Sequence, residues 1–367
     1  MPPVSRSPSR SNVASRPGLP GSKGIRIASL CLTLLAVGIL LAGCAPNAPQ
    51  DVLDPKGPYA EKADRLWDLT FGTAVVVFFI VEGLLVAALF LFRQKGSKPG
   101  NPVQVHHNTK LEIGWTMVPV VILAALAVPS VAAIFEFAAE PENALEVEVT
   151  GKQWWWQYQY TESGVMAANE LYIPVGRPIR LVLRSEDVIH SFWVPKLGGK
   201  QDVVPGHTNL LNIQASAPGE YFGQCAEYCG LSHANMRLRV FAVPPDEFEF
   251  WLESQKQDAQ SPAGGLAADG QRLFLEGATG DPSQACSSCH AVGGTQAVGT
   301  FGPNLTHFAS RTTFGGAMFE NNTENLRAWL RDAPGVKPGS KMPSGTKELG
   351  LSDDDIEALI AYLETLK

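Results

Sequence analysis

The chain has 367 residues, 45% hydrophobic and 18% charged, with 35 Gly and 27 Pro. That is too long for one core and too apolar for a disordered chain, so two or three units are expected. A formal charge of −7 with no local basic patch argues against a nucleic-acid binder, and six cysteines are too few for a disulfide scaffold. The charge is uneven: +5 over residues 1–43, −1 over 44–139, −7 over 140–253 and −4 over 262–367.

Residues 1–26 are rich in Ser, Pro and Arg and show no apolar periodicity. The run from Ile27 to Leu41 is short, apolar and preceded by positive charge, which is signal-peptide anatomy rather than a structural helix. It ends Leu41-Ala42-Gly43-Cys44, which resembles a bacterial lipoprotein processing site. That resemblance implies acylation of Cys44 and loss of Cys31 with a 1–43 signal peptide. The plain alternative is a first transmembrane helix with an incidental cysteine.

After an extracytoplasmic segment, 44–66, two stretches are long enough to cross roughly 30 Å of hydrocarbon: 67–92, with Glu82 in its apolar middle, and 115–137, interrupted by Pro119 and Pro129. Proline kinks a membrane helix, and its neighbours resatisfy the freed carbonyls. The intervening loop, 93–114, holds Arg93, Lys95, Lys98 and Lys110, which places it in the cytoplasm and everything after residue 138 outside. Glu82 serves either a partner or proton path or a helix–helix hydrogen bond, since charges within a span are costly.

From Leu145 to about Val243 the pattern becomes short alternating runs: 145–150, 178–184 and 237–242 place apolar residues at every second position, with Gly and Pro between. This predicts an antiparallel β-sandwich or barrel. Within it lies Cys225-Ala-Glu-Tyr-Cys229-Gly-Leu-Ser-His233-Ala-Asn-Met236. Two thiolates, an imidazole and a thioether are soft ligands that select copper, and His190 in Asp187-Val-Ile-His190 is the obvious second imidazole. The bland readings are a zinc site or a disulfide with a stray histidine.

Over roughly residues 60–250 the sequence resembles subunit II of the haem–copper cytochrome c oxidases. The Cys-x-Glu-x-Cys-Gly-x-x-His-x-x-Met loop is similar to that family's binuclear CuA motif, and Val194-Pro-Lys-Leu-Gly198 matches as well. The resemblance implies a cupredoxin-like fold over 138–253, with Cys225 and Cys229 bridging two coppers. His190 and His233 are then terminal ligands, Met236 a weak one and the Glu227 carbonyl another, while the Glu227 side chain resembles a ligand to Mg²⁺ at the interface with subunit I. In Gly151-Lys-Gln-Trp154-Trp-Trp-Gln-Tyr158 the resemblance marks Trp154 as the aromatic through which electrons reach CuA. Neighbouring Trp155 is the rival, and tryptophans that fill a core or lie at the membrane interface are the bland reading. Glu112, in Leu-Glu112-Ile-Gly-Trp115, resembles the family's glutamate at the mouth of a proton-uptake path. Its alternative is a solvated helix-end charge.

Residues 254–266 have linker composition. Beyond them the periodicity turns helical, at 269–277, 323–331 and 352–366, the last opening on Ser352 and three aspartates that suit a helix amino end. Cys286-Ser-Ser-Cys289-His290 reads as c-type haem attachment, with His290 as axial ligand; redox or zinc chemistry at a bare C-x-x-C is the alternative. Met342, in Gly339-Ser-Lys-Met-Pro343, resembles the sixth ligand of cytochrome c, with Met318 as rival, and Gly302-Pro303-Asn-Leu305 resembles the loop packed against the haem. Such His–Met ligation raises the potential. His307 is expected at the surface. The domain over 267–367 is therefore expected to be an all-α cytochrome c.

The order lipid, hairpin, CuA, haem c resembles the caa3-type oxidases, a multidomain membrane protein on the outer face of a bacterial plasma membrane. The resemblance implies partnership with subunit I (haem a/a3, CuB) and subunit III, and an upstream cytochrome c or quinol-oxidising complex as donor. Tethering lifts the donor's effective concentration to roughly millimolar. Rival readings are the electron-input subunit of a nitric oxide reductase and a non-enzymatic copper-storage or assembly protein. A His190 remote from the cysteine loop would defeat the whole assignment.

Overall fold

The computed structural model describes residues 22–42, 48–93, 103–104 and 106–367. Cys44, Lys95 and Lys98, singled out above, lie outside the described residues. Helix α1 (Ser22–Ala42) belongs to a unit ending at Ala48, and the chain from Pro49 onward packs as a second unit.

That second unit opens with two long helices, α2 (Pro58–Leu91) and α3 (Thr109–Ala138), both long and apolar enough to cross a membrane and both with almost wholly unburied apolar surface. Each begins earlier than the hydropathy pattern predicts. The polar stretch 58–66 continues α2 beyond the apolar span, with Pro58 at the first position, where a missing N–H costs nothing. Asn108 caps α3 by accepting from the Leu111 amide (3.2 Å), and the Glu112 carboxylate returns to the Asn108 amide (3.1 Å). Pro119 and Pro129 both lie inside α3. Lys62 on α2 pairs with Glu136 on α3.

The middle of the chain is a two-sheet sandwich. One sheet orders β3 (Met166–Ala168), β2 (Trp155–Tyr160), β1 (Leu145–Lys152), β5 (Ile179–Ser185) and β8 (Asn209–Ile213); the other orders β4 (Glu170–Pro174), β10 (Arg237–Val243), β9 (Gly219–Cys225), β6 (His190–Trp193) and β7 (Lys200–Val203). The expectation of a purely antiparallel sandwich is corrected in two places: β1 runs parallel to β5 and β10 parallel to β4. Alternation predicts strands but not the direction of their neighbours. Inward residues of both sheets meet in the core, where Trp156 packs edge-on to Phe192 with centroids 5.3 Å apart. Helix α4 (Pro245–Ser254) covers one end, with Trp251 stacked on Tyr172.

The sandwich is fastened to the hairpin. The Asn212 amide donates to the carbonyls of Phe137 (3.0 Å) and Ala139 (2.8 Å), satisfying acceptors that the end of α3 leaves free.

The carboxyl-terminal domain is built on α5 (Leu266–Glu276), α6 (Thr323–Val336) and α7 (Asp353–Leu363), with a two-stranded ribbon, β11 (Thr313–Phe314) and β12 (Phe319–Glu320). Ser352 caps α7 reciprocally with Asp355. Helix α6 continues past Arg331 across a break at Asp332, where the chain is not helical. Helices α5 and α7 cross closely because Gly270 has no Cβ: one placed there would lie 1.9 Å from the Ala358 carbonyl oxygen. Two contacts pin the segment read as a linker to the domain after it. The Ala259 amide donates to Gly293 (3.1 Å), and Gln255 accepts from His307 (3.2 Å), which is buried rather than at the surface.

The two globular domains share a seam. Glu170, 3% exposed, accepts through Oε1 from the amides and hydroxyls of Thr312 and Thr313 at 2.7–3.0 Å. Arg237 donates its amide to Gly316 (3.0 Å), Lys152 its ammonium to Thr300 (3.2 Å), and Ser232 its hydroxyl to Pro338. Gly270→Val is expected to destabilise the carboxyl-terminal domain by about 2–3 kcal/mol through overpacking, read as a lowered thermal midpoint; an unchanged midpoint would contradict the close crossing.

Candidate functional site

Strands β9 and β10 are joined by the loop from Cys225 to Met236, which closes on itself where the Cys225 amide donates to the Met236 carbonyl at 2.9 Å. A short 3-10 turn, His233–Asn235, lies in the returning half. The two sulfurs thereby stand 3.7 Å apart. Around them lie His190 Nδ1, 3.9 Å from the Cys225 sulfur, His233 Nδ1, 3.6 Å from the Cys229 sulfur, and the Met236 sulfur, 3.9 Å from that of Cys229. The Glu227 carbonyl is 3.2 Å from the Cys225 sulfur. The residues singled out on this loop, and His190 from β6, therefore cluster around the sulfur pair; the donor atoms of His190, Cys225 and Cys229 all fall within 4.8 Å of one another. The Glu227 side chain is exposed and accepts from the Tyr228 amide (3.0 Å).

The electrostatics suit a cation. A hydrogen bond from Cys229 stabilises the Cys225 thiolate and pulls it down to about 4, and the same thiolate raises Cys229, which keeps its proton until a cation replaces it. Burial alone would lower His190, but hydrogen bonds to Asp187 and Cys225 outweigh it and raise the imidazole. Asp187 holds His190 Nε2 at 2.8 Å, leaving Nδ1 for the sulfur side. Its carboxyl is pulled down to about 2 because bonds from His190 and from the amides of Gln153 and Val188 overcome its desolvation. This carboxylate–imidazole–metal geometry orients ligands in metalloproteins. A thiolate pair with imidazole and thioether donors fits copper, and free thiols at both positions exclude the disulfide reading.

The second site is a cavity of about 440 Å³, within the range of ligand pockets. Cys286, Cys289, His290 and Met342 all line it, as do the apolar side chains of Phe274, Leu326 and Leu359. His290 Nδ1 is engaged by the Pro303 carbonyl (2.8 Å), so Nε2 remains for a metal. Burial and the nearby Arg311 cation lower this imidazole despite that bond, which favours the neutral, ligating form. A Cβ at Gly302 would lie 2.5 Å from the ring, so Pro303 and Gly302 fit against His290 as the sequence motif implies. Met342 lines the cavity and Met318 does not; the Trp329 indole N–H points at the Met342 sulfur (3.1 Å). An apolar cavity with paired thiols, one free imidazole nitrogen and an opposing thioether fits a covalently attached haem.

Trp154 joins the two sites. Its Nε1 donates to the Cys229 carbonyl (3.1 Å), while at the other end of the indole a Cβ at Gly339 would come within 2.9 Å of Cη2. Trp155 also lines the cavity, but Lys152 stacks on its ring instead. Glu112 stands apart at the head of α3, capping the helix and lying 3.0 Å from His107. Sequence reasoning passed over Asp187, Glu170, Trp329 and Lys337. Asp187 carried one available signal, an acid three residues before a ligating histidine; the others depend on contacts across many residues.

A copper-binding sandwich on a membrane hairpin, followed by a haem-binding helical domain, defines a membrane-anchored electron-carrying protein. Family descriptions match in the same order: "Cytochrome C oxidase subunit II, transmembrane domain" over 47–133, "Cytochrome C oxidase subunit II, periplasmic domain" over 163–243 and "Cytochrome c" over 267–367. The chain is 40% identical to cytochrome c oxidase subunit 2 of Alkalihalophilus pseudofirmus, covering 93% of this chain and 98% of that one. To the Bacillus subtilis protein of the same name it is 35% identical, over 92% and 97%. The chain belongs to the cytochrome c oxidase subunit 2 family, in its form with a fused cytochrome c domain, and its cofactors are CuA copper and haem c. Asp187→Asn is expected to weaken copper binding by roughly 10–100-fold, measured by competition with a copper chelator; undiminished affinity would remove Asp187 from the site.

Proposed function

We propose that this chain is the electron-accepting subunit of a proton-pumping aerobic terminal oxidase. In this reading Cys286 and Cys289 carry the haem as thioethers and His290 and Met342 ligate its iron. Cys225, Cys229, His190, His233, Met236 and the Glu227 carbonyl hold the copper pair. Bound there, these groups supply one-electron chemistry, drawing on an upstream cytochrome c or quinol-oxidising complex and delivering to subunit I, where O₂ is reduced to water.

The chain's own residues do three things. The closed Cys225–Met236 loop keeps the donors fixed, so little rearranges when charge changes. Pro303 and Asp187 each engage one nitrogen of a ligating histidine and direct the other to metal. Trp154 spans from the Cys229 carbonyl to Gly339, three residues before Met342. This last contact is the observation that carries the proposal, because it puts one aromatic ring against both sites.

The reading extends to Glu112 as the cytoplasmic mouth of a proton path, to a Mg²⁺ held by the exposed Glu227 carboxylate against subunit I, to subunit III as a further partner, and to acylation at Cys44. The carboxylate of Glu112 at a helix head, beside His107, suits proton collection as well as capping.

The purified complex is expected to show haem c, CuA and haem a together in visible and electron-resonance spectra, and to consume O₂ rather than nitric oxide. Cys225→Ser is expected to abolish CuA absorption and turnover. Full oxidase activity in that variant ends the assignment. Met342→Ala is expected to remove the sulfur-to-iron charge-transfer band of haem c, whereas Met318→Ala leaves it in place.

A further inference from the structure

Lys337 is 3% exposed and sits on the seam between the copper and cytochrome domains. Its ammonium donates to the Trp154 carbonyl at 2.6 Å and to the Gly315 carbonyl at 2.8 Å. One acceptor belongs to each domain. Among the described residues no carboxylate pairs with this ammonium. Desolvation lowers it to about 7. A buried ammonium held only by two carbonyls is an expensive way to fill space, and an apolar side chain of the same length would fill it more cheaply. What the lysine supplies instead is direction.

The turn it reaches is itself tight. A Cβ at Gly316, φ +82°, would lie 2.6 Å from the Lys337 ammonium and 3.0 Å from the Trp154 carbonyl oxygen, so glycine there lets the three groups converge. The loop that carries Lys337 contributes Gly339 to the far end of the Trp154 ring and, three residues on, Met342 to the haem cavity. Pro338, between Lys337 and Gly339, accepts from Ser232 of the copper loop. The ring of Trp154 is thus fixed by the Cys229 carbonyl and Gly339, and its main chain by Lys337.

We propose that Lys337 is the positioning residue for electron transfer into the copper centre: its ammonium ties the main chain of Trp154 to the haem-ligand loop and so sets the indole at one separation from both redox sites. The inference rests on the reading of Trp154 given above. Lys337 also lines the haem cavity, but its two hydrogen bonds go to main-chain carbonyls and not to a metal ligand, so it acts through Trp154.

The test uses the purified oxidase complex, with electrons injected photochemically into haem c and the reduction of CuA followed in time. Lys337→Met is expected to slow this step by at least about tenfold, since rates fall steeply when partners shift by roughly an ångström, while the visible and electron-resonance spectra of both centres stay at wild-type values. Lys337→Gln, whose amide keeps two N–H donors, is expected to recover most of the rate. Wild-type transfer in Lys337→Met overturns the proposal, as does a Gln variant as slow as the Met variant. Loss of either centre's spectrum in both variants also overturns it, by making the lysine a residue of folding. Absence of haem c or CuA signals from the unmodified complex is a different failure, that of the site assignment itself.

Discussion

The functional architecture depends on two sulfurs held 3.7 Å apart by a loop that closes on itself between neighbouring strands. Thiols at that distance cannot both ionise without a cation between them, so one proton stays until metal displaces it. The sandwich makes this unfavourable arrangement permanent. Strand β9 delivers Cys225, β10 receives the chain after Met236, and β6 beside β9 brings His190 to the same place. Trp156 and Phe192 fill the core beneath, with Trp156 lying edge-on to the His190 ring, so a shift of the histidine would open the core.

The seam between the domains is held partly by buried charges of opposite sign. Glu170 reaches from the copper domain to the backbone of the cytochrome domain, and Lys337 reaches the other way. Glu170 ends on groups of the opposite domain and Lys337 on one carbonyl of each, neither on an ion of opposite charge. Such contacts add little to stability after desolvation, but they are selective, because only one docked arrangement satisfies both. Together with the contacts of Gln255 and Ala259, they dock the fused cytochrome against the copper domain.

Much of this was legible in the sequence because the chemistry is carried by rare residues at fixed short spacings. Cys225 to Met236 and Cys286 to His290 announce their ligands within a dozen positions, and the apolar spans and alternating strands follow from period alone. The parallel pairings β1–β5 and β4–β10 were not legible, since a strand's alternation is the same whichever way its neighbour runs. The burial of His307 was missed because its acceptor, Gln255, is 52 residues away in a stretch whose composition suggests slack. Lys337 gave no signal at all: a lysine in a Gly- and Pro-rich loop looks solvated until another domain is laid across it.

The grip of Asn212 on the end of α3 couples the membrane to the copper domain as a shaft is keyed to a wheel. A helix turns about 100° and rises about 1.5 Å with each residue. The length of α3 between its membrane span and Phe137 therefore sets both the height and the compass bearing of the copper loop above the bilayer. Adding or removing a single residue there would swing the loop away from a fixed acceptor in the membrane while leaving every ligand intact.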